Sequence, residues 1–198
     1  YQGLILVIAD CIGHGVPGGM MAVFASNLIS QIVEEQGKSF PSDILEELDR
    51  RLRRRLKQDQ NSELGDGMDI AVCLITDTTL SFASASRPIV RISAEGKSQI
   101  IPGTRFQLAT WATEDVQYET IETEIERGDR FYLFTDGASD QLSDLNGKRL
   151  GTKNLVKEIV QLQSLPLSKQ KSELESLFES WQGSESQTDD ILLIGFEV

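Results

Sequence analysis

Hydrophobic residues along the chain follow two different repeats. Residues 4–9 form a continuous apolar run of strand length, which predicts a strand buried on both faces. Apolar residues at 20–33 and again at 44–57 recur at helical spacing, and Pro41 marks the first turn of the second predicted helix. Short apolar runs separated by turn residues then predict strands over 70–75, 80–85, 89–93, 98–101, 117–125 and 130–135.

The last third of the chain returns to helical spacing. Residues 155–162 and 171–181 predict helices, and residues 191–198 predict a closing strand. The glycine-rich stretch 10–19 predicts a turn. A block of strands with paired helices on either side favours α+β layers over repeated βαβ units, and the absence of a repeat or linker predicts one domain over residues 1–198.

Composition and charge narrow the classes of function. The 198 residues carry 19 basic and 31 acidic side chains, a net charge of −12, which argues against nucleic-acid binding because phosphate backbones would be repelled. No apolar run approaches the ~20 residues that a bilayer span needs. The two cysteines, Cys11 and Cys73, are too few for a disulfide framework, so we expect a reduced, cytoplasmic location.

Aspartates stand where apolar runs meet polar turns. Asp10 and Asp136 each follow a predicted strand, and Asp189 and Asp190 directly precede the last one. Carboxylates gathered at one sheet edge disfavour each other's charge unless cations are present, and oxygen ligands suit Mg²⁺ or Mn²⁺. Turn and cap aspartates would give the same pattern, so spacing alone leaves both interpretations open.

Three motifs resemble, in order and spacing, those of the SpoIIE branch of the PPM (protein phosphatase 2C-like) family. They are DCIGHGVPG at 10–18, FTDGASDQ at 134–141 and QTDDIL at 187–192, and the stretches 67–71 and 128–129 match further family-typical segments. The resemblance runs from Tyr1 to Val198. It implies a four-layer α-β-β-α sandwich with two central antiparallel sheets, and metal-dependent hydrolysis of phosphoserine or phosphothreonine.

The resemblance also implies a centre of two Mn²⁺ or Mg²⁺ ions. Asp10 would bridge both ions, the backbone carbonyl of Cys11 would take a further position, and Asp136 and Asp189 would bind one of the metals. Asp190 and Asp69 are expected beside the ligands. A metal-activated water would attack phosphorus in line, so no side chain of the protein acts as the nucleophile.

Several residues near these motifs have open roles. The family places another metal-site aspartate on a strand before residue 4, so we expect an N-terminally truncated domain that is weakly active or inactive by itself. Ile12 stands where a small hydroxyl residue is common. His14 has a different offset from its aspartate than the histidine of eukaryotic relatives, so a catalytic and a loop-structuring role both remain open. Asp66 and Asp69 are further candidates for an additional metal position.

Partners follow from the resemblance as well. The implied substrate is a phosphorylated STAS-type anti-anti-sigma factor in a bacterial partner-switching circuit, with a sensor or receiver domain upstream and membrane attachment only through upstream segments. Homodimerisation through the helical layer is compatible with the family. The basic cluster at 50–57 predicts either a solvated helix face or a dock for an acidic partner.

Two other functions compete with this interpretation. One is a non-catalytic pseudophosphatase that binds a signalling partner without hydrolysing it. The other is a two-metal nuclease, which the net charge of −12 disfavours because no basic track is present to follow a phosphate backbone.

Overall fold

A computed structural model of the chain describes residues 3–13, 15–56, 67–110 and 116–198, with the backbone alone at position 56. The described strands are β1 Leu4–Cys11, β2 Met68–Ile75, β3 Thr79–Ala85, β4 Ile89–Ile92, β5 Ser98–Ile101, β6 Ile121–Glu124, β7 Arg130–Phe134 and β8 Leu193–Glu197. The described α-helices are α1 Gly15–Ser30, α2 Pro41–Leu56, α3 Asp136–Asp140, α4 Thr152–Gln161 and α5 Leu167–Gln182. A π-helical segment, Gln31–Glu35, continues α1.

The elements form two compact units. Unit 1 comprises Tyr1–Pro88 and Pro102–Ile125, and unit 2 comprises Ile89–Ile101 and Glu126–Val198. Each unit contains one four-stranded antiparallel sheet, in the order β1-β2-β3-β6 in unit 1 and β5-β4-β7-β8 in unit 2. The α+β class with two antiparallel sheets is therefore confirmed.

In unit 1, helices α1 and α2 pack on one face of the sheet. The apolar stripe of α2 is almost completely buried, with Ile44, Leu45 and Leu48 at 0% exposure, as its helical spacing predicts. Alternate residues of the strands point to these helices, including Val7 of β1 and Ile70 of β2. The intervening residues therefore lie on the opposite face of the sheet, and this places Asp10 and Asp69 there.

In unit 2, the sheet packs against α4 and α5. Its buried cluster contains strand and helix residues and one loop residue, Leu150: Val90, Ile92, Tyr132, Phe134, Ala138, Leu150, Leu155, Val156, Ile159 and Leu174. The hydroxyl of Tyr132 donates a hydrogen bond to Gln170 Oε1 at 2.8 Å, which gives the buried phenol a partner. Burial raises the pKa of Tyr132. The predicted helices over 155–162 and 171–181 are both present, each extended by a few residues toward its N-terminus.

Three local predictions are wrong. Residues 15–19 begin α1 instead of forming a turn, because Pro17 is tolerated in a first helical turn, where its missing N–H would have no partner. Residues 117–120 lie outside the β3–β6 ladder, which covers only Ile121–Glu124. Helix α3 begins at Asp136, directly after β7, where a turn is predicted.

One helical run has the length and composition of a membrane span. Gly15–Glu35 covers 21 residues with a mean hydropathy of 1.4, and 22% of its most apolar window is buried. This run exceeds the length that the sequence pattern indicates. Ala25, Leu28 and Ile32 of the run belong to the core of unit 1, and length and composition alone are weak evidence for a span.

Candidate metal centre

The aspartates of unit 1 meet across two neighbouring strands. Asp10, at the end of β1, lies directly opposite Asp69 in the antiparallel register with β2. Directly opposed residues in such a pair have Cβ atoms about 4.5–5.5 Å apart on one face of the sheet. Two carboxylates placed in this way repel each other unless positive charge is close by.

Arg87 supplies positive charge to Asp69. Asp69 is 3% exposed and forms an ion pair with the Nη2 group of Arg87 through its Oδ2 atom. Its second oxygen, Oδ1, is buried and accepts no hydrogen bond from the described part of the chain. Arg87 follows β3 next to Ser86, which has a φ of +74°. Sequence reasoning missed Arg87, and the only local signal is an arginine at the end of an apolar strand.

Cys11 turns its side chain into the core of unit 1. Its Sγ atom lies 3.6 Å from Sδ of Met68, its register partner on β2. Burial, and then the neighbouring carboxylate of Asp10, raise the pKa of the Cys11 thiol. A neutral, inward-facing thiol leaves the backbone carbonyl as the chemically suitable ligand for a hard cation.

The loop after Cys11 is constrained by close packing. Gly18 of α1 is buried, and a Cβ atom at this position would lie 2.5 Å from the carbonyl oxygen of Gly13. The backbone N–H of Ile12 donates a hydrogen bond to the carbonyl of Gly67 at 3.1 Å. Gly18 therefore permits the close approach of α1 to Gly13, and a backbone hydrogen bond joins Ile12 to Gly67. His14 lies outside the described residues, as does Asp66.

In unit 2, the pairing of β7 with β8 brings the other aspartates to one edge of the sheet. Thr135 connects the two strands. Its backbone N–H donates to the carbonyl of Leu192 at 3.0 Å, its hydroxyl donates to the carbonyl of Asp190 at 2.9 Å, and the N–H of Leu192 donates back to that hydroxyl at 3.0 Å. Asp136 is the next residue after Thr135, so its backbone is held beside the Asp189–Asp190 segment.

Gly137 allows this close approach. A Cβ atom at position 137 would lie 2.4 Å from the carbonyl oxygen of Asp190 and 3.2 Å from the carbonyl carbon of Asp189. Real Cβ atoms do not come so near to backbone atoms, so any larger residue would separate the two segments. The glycine after Asp136 is therefore explained by packing.

Gln141 supports the same loop from behind. It is 0% exposed, its Nε2 group donates to the carbonyl of Ser186 at 3.2 Å, and its Oε1 atom accepts from the N–H of Thr188 at 3.3 Å. Its own backbone carbonyl accepts from the indole N–H of Trp181 at 3.0 Å. The sequence places Gln141 in the motif at 134–141 without assigning it a role, and no local pattern indicates that this glutamine is buried.

The carboxylates of unit 2 have the chemistry that a hard cation requires. Asp189 and Asp190 are exposed, and neither forms an ion pair with a described residue. Asp189 Oδ1 accepts the N–H of Asp190 at 2.8 Å, which leaves its other oxygen available. This donor set fits Mg²⁺ or Mn²⁺.

The predicted ligands are divided between the two units. Asp10, Cys11 and Asp69 belong to unit 1, and Asp136, Asp189 and Asp190 belong to unit 2. Across residues 3–13, 15–56, 67–110 and 116–198, no group of three or more His, Cys, Asp or Glu side chains that could hold a metal ion is present. The complete ligand set thus stays a prediction.

Comparison with known proteins identifies a matching family and several similar structures. The family model described as Stage II sporulation protein E (SpoIIE) matches residues 1–198. The SiaA-PP2C domain of Pseudomonas aeruginosa is 29% identical, with a TM-score of 0.88 over 100% of this chain and 76% of its own. A structure of the RsbU and RsbW domains from Mycobacterium tuberculosis is 18% identical, with a TM-score of 0.75 over 99% of this chain and 52% of its own.

A third similar structure contains metal. The catalytic domain of the serine/threonine protein phosphatase PstP, in complex with two manganese ions, is 16% identical, with a TM-score of 0.68 over 96% of this chain and 85% of its own. No curated protein sequence matches the chain. The family match decides against the nuclease alternative. The chain belongs to the SpoIIE family, and its fold is that of PP2C-type phosphatase domains.

Proposed function

We propose that this domain hydrolyses phosphoserine or phosphothreonine on a bacterial signalling protein with Mn²⁺ or Mg²⁺ as cofactor. The observation that carries the proposal is the contact between the β7 end and the segment before β8. There Thr135 and Gly137 keep the backbone of Asp136 against Asp189 and Asp190. The carboxylates of Asp189 and Asp190 are exposed and form no ion pair with a described residue. Such carboxylates, held in place by the backbone contacts of Thr135 and Gly137, are suited to bind divalent ions.

The residues proposed to bind the ions are Asp10, the carbonyl of Cys11, Asp136 and Asp189. When bound, such ions supply a water of lowered pKa as nucleophile and neutralise the phosphoryl oxygens. The protein's own contribution is orientation. Thr135 and Gln141 form hydrogen bonds with the loop that contains Asp189 and Asp190. Arg87 forms an ion pair with Asp69, which lies opposite Asp10 in the sheet, and compensates its negative charge.

The proposed substrate is a phosphorylated STAS-type anti-anti-sigma factor. This step is supported by the similarity to SiaA and to a protein that carries RsbU and RsbW domains. The proposal includes an upstream sensor or receiver domain, a cytoplasmic location with any membrane anchor in upstream segments, and the option of a homodimer. Because the chain spans only about half of the RsbU–RsbW structure, these features concern the longer protein.

The test is a manganese titration of phosphatase activity in the full-length natural protein, with a phosphoserine peptide as substrate. Asp10→Ala and Asp136→Ala are expected to reduce turnover to background at all metal concentrations. Asp77→Ala is the matched control, because Asp77 is an exposed aspartate in the β2–β3 turn. Control activity equal to that of the wild type, with both site variants inactive, supports the proposal; full activity of either site variant refutes the ligand assignment.

The pseudophosphatase remains a distinct outcome of the same experiment. A protein that binds the phosphorylated partner but releases no phosphate at any manganese or magnesium concentration would be a binding module. A calorimetric titration with the phosphopeptide separates binding from turnover. Hydrolysis that depends on added metal excludes this alternative.

A further inference from the structure

A cavity of about 360 Å³ lies in unit 1 between α1 and α2. Phe24 and Leu28 of α1 form its apolar part. Its remaining lining consists of arginines from the last two turns of α2: Arg50, Arg51, Arg54 and Arg55. No residue of this cavity is among the proposed metal ligands.

The cavity carries excess positive charge in a protein whose net charge is −12. Glu47 is the carboxylate that pairs with the arginines, at 2.7 Å from Arg50 Nη2 and 2.7 Å from Arg51 Nε. Arg54 and Arg55 form no ion pair with any residue in the described ranges. Within the described ranges, Glu47 is thus the one carboxylate that forms ion pairs with any of the four arginines of the cavity. These side chains line a depression on the surface of unit 1 that is open to solvent.

Two of the arginines are held in place before any ligand arrives. The guanidinium of Arg50 binds Glu47 through Nε at 3.0 Å and Nη2 at 2.7 Å, and Arg51 Nη1 donates to Gln31 Oε1 at 3.3 Å. Arg53, on the other side of α2, binds Asp49 at 2.6 Å and the carbonyl of Thr110 at 2.9 Å. Arg53 therefore anchors α2 on the side away from the cavity. Its contacts do not involve the four arginines that line the cavity.

We propose that this cavity binds a small organic phosphate. Arg54 and Arg55 would donate to the phosphate oxygens, since a guanidinium matches phosphate geometry in bidentate fashion. Phe24 and Leu28 would contact the organic part. The volume of about 360 Å³ lies within the range of about 300–1,000 Å³ that is typical of small-molecule pockets.

Isothermal titration calorimetry of this chain tests the proposal, with ADP and inorganic pyrophosphate as probes. Divalent metal is omitted to suppress binding of the probes at the proposed metal centre. Without metal, the aspartates of that centre are negatively charged and repel the anionic probes. ADP is expected to bind more tightly than pyrophosphate, because only ADP has an organic part to cover Phe24. The double variant Arg54→Glu/Arg55→Glu is expected to lose about tenfold or more in affinity for both probes.

A matched variant controls for net charge. Arg105→Glu/Arg127→Glu changes the charge by the same amount at two exposed arginines that do not line the cavity and is expected to retain binding within about twofold, because salt screens exposed charges that do not contact the ligand. Thermal unfolding by circular dichroism verifies that both variants are folded.

Three results would overturn the proposal. The first is that neither probe binds the wild-type chain at millimolar concentration. The second is that the Arg54/Arg55 variant binds as well as the control. The third is that an acidic peptide such as polyglutamate binds the cavity arginines while both phosphate probes fail, which would assign the surface to a protein partner.

Discussion

The hydroxyl of Thr135 donates a hydrogen bond to the backbone carbonyl of Asp190 at 2.9 Å and accepts one from the N–H of Leu192 at 3.0 Å. A single buried side chain thereby joins the end of β7 to the segment that precedes β8. Since Asp136 follows Thr135 directly, the position of one proposed metal ligand depends on a residue that does not bind metal itself.

Thr135→Val retains the shape of the side chain and removes both hydrogen bonds. We expect the free energy of unfolding to fall by about 1–3 kcal/mol, because the buried Thr135 hydroxyl loses two hydrogen bonds that contribute about 0.5–1.5 kcal/mol each. If the proposed metal centre is correct, the manganese concentration for half-maximal activity rises about 10–100-fold. Urea denaturation and a metal titration measure the two effects. Thr78→Val, at an exposed turn position, is the control, and equal behaviour of the two variants would contradict this role.

Gly137→Ala places a Cβ atom 2.4 Å from the carbonyl oxygen of Asp190, so the backbone must move. We expect a loss of about 1–3 kcal/mol in stability, typical of overpacking. Gly19→Ala is the comparison, because nothing lies within 4 Å of its added methyl group. In helix α1 this change is expected to stabilise the protein by up to about 1 kcal/mol. Thermal unfolding of both variants measures the change in stability. A stability change of the same sign in both variants would refute the packing argument.

Arg87→Ala leaves the buried carboxylate of Asp69 without its cation. We expect a loss of about 3–5 kcal/mol in the free energy of unfolding, as found when one member of a buried pair is removed. Arg149→Ala breaks an exposed pair with Asp140, in which the arginine side chain is 67% exposed, and should cost less than about 1 kcal/mol. Urea denaturation of the two variants gives the comparison, and similar losses would show that Asp69 is not effectively buried.

Burial of the Cys73 thiol predicts that the stability of the folded protein decreases at alkaline pH. Burial raises the pKa of this thiol to about 12 in the folded protein, whereas an unfolded cysteine has a pKa of about 8.5. The folded state thus favours the protonated thiol, and this contribution to stability is complete below pH 8.5 and is lost progressively as the pH rises toward 12.

The measurement is urea denaturation of the wild type and Cys73→Ala between pH 8 and 11. The wild type is expected to lose up to about 1.4 kcal/mol per pH unit more than the variant above pH 8.5. Cys73→Ala is less stable at pH 8 because of the cavity that it creates, so the two curves converge as the pH rises. Parallel curves would show that Cys73 titrates normally in the folded protein.

Repeating patterns determined most of the secondary structure from the sequence alone. The α2 stripe, with Ile44 and Leu48 fully buried, is readable because helical spacing places these residues on one face. The strands β2 and β7 are readable as short apolar runs between turn residues. The motifs at Asp10, Asp136 and Asp189 also identified the family, which the match over residues 1–198 confirmed.

Contacts between residues distant in the chain were decided by the tertiary structure alone. The pairing of Asp69 with Arg87 and the approach of Gly137 to Asp190 depend on strand register, and local sequence patterns do not encode register across a sheet. The start of α1 at Gly15 is a different case. Glycines and Pro17 favour a turn in isolation, whereas in the folded chain Gly18 packs against Gly13 and the segment is helical. Local propensity is weak compared with such packing, so the sequence determined the elements and the chemistry of the site, and the fold decided which residues fix that site in place.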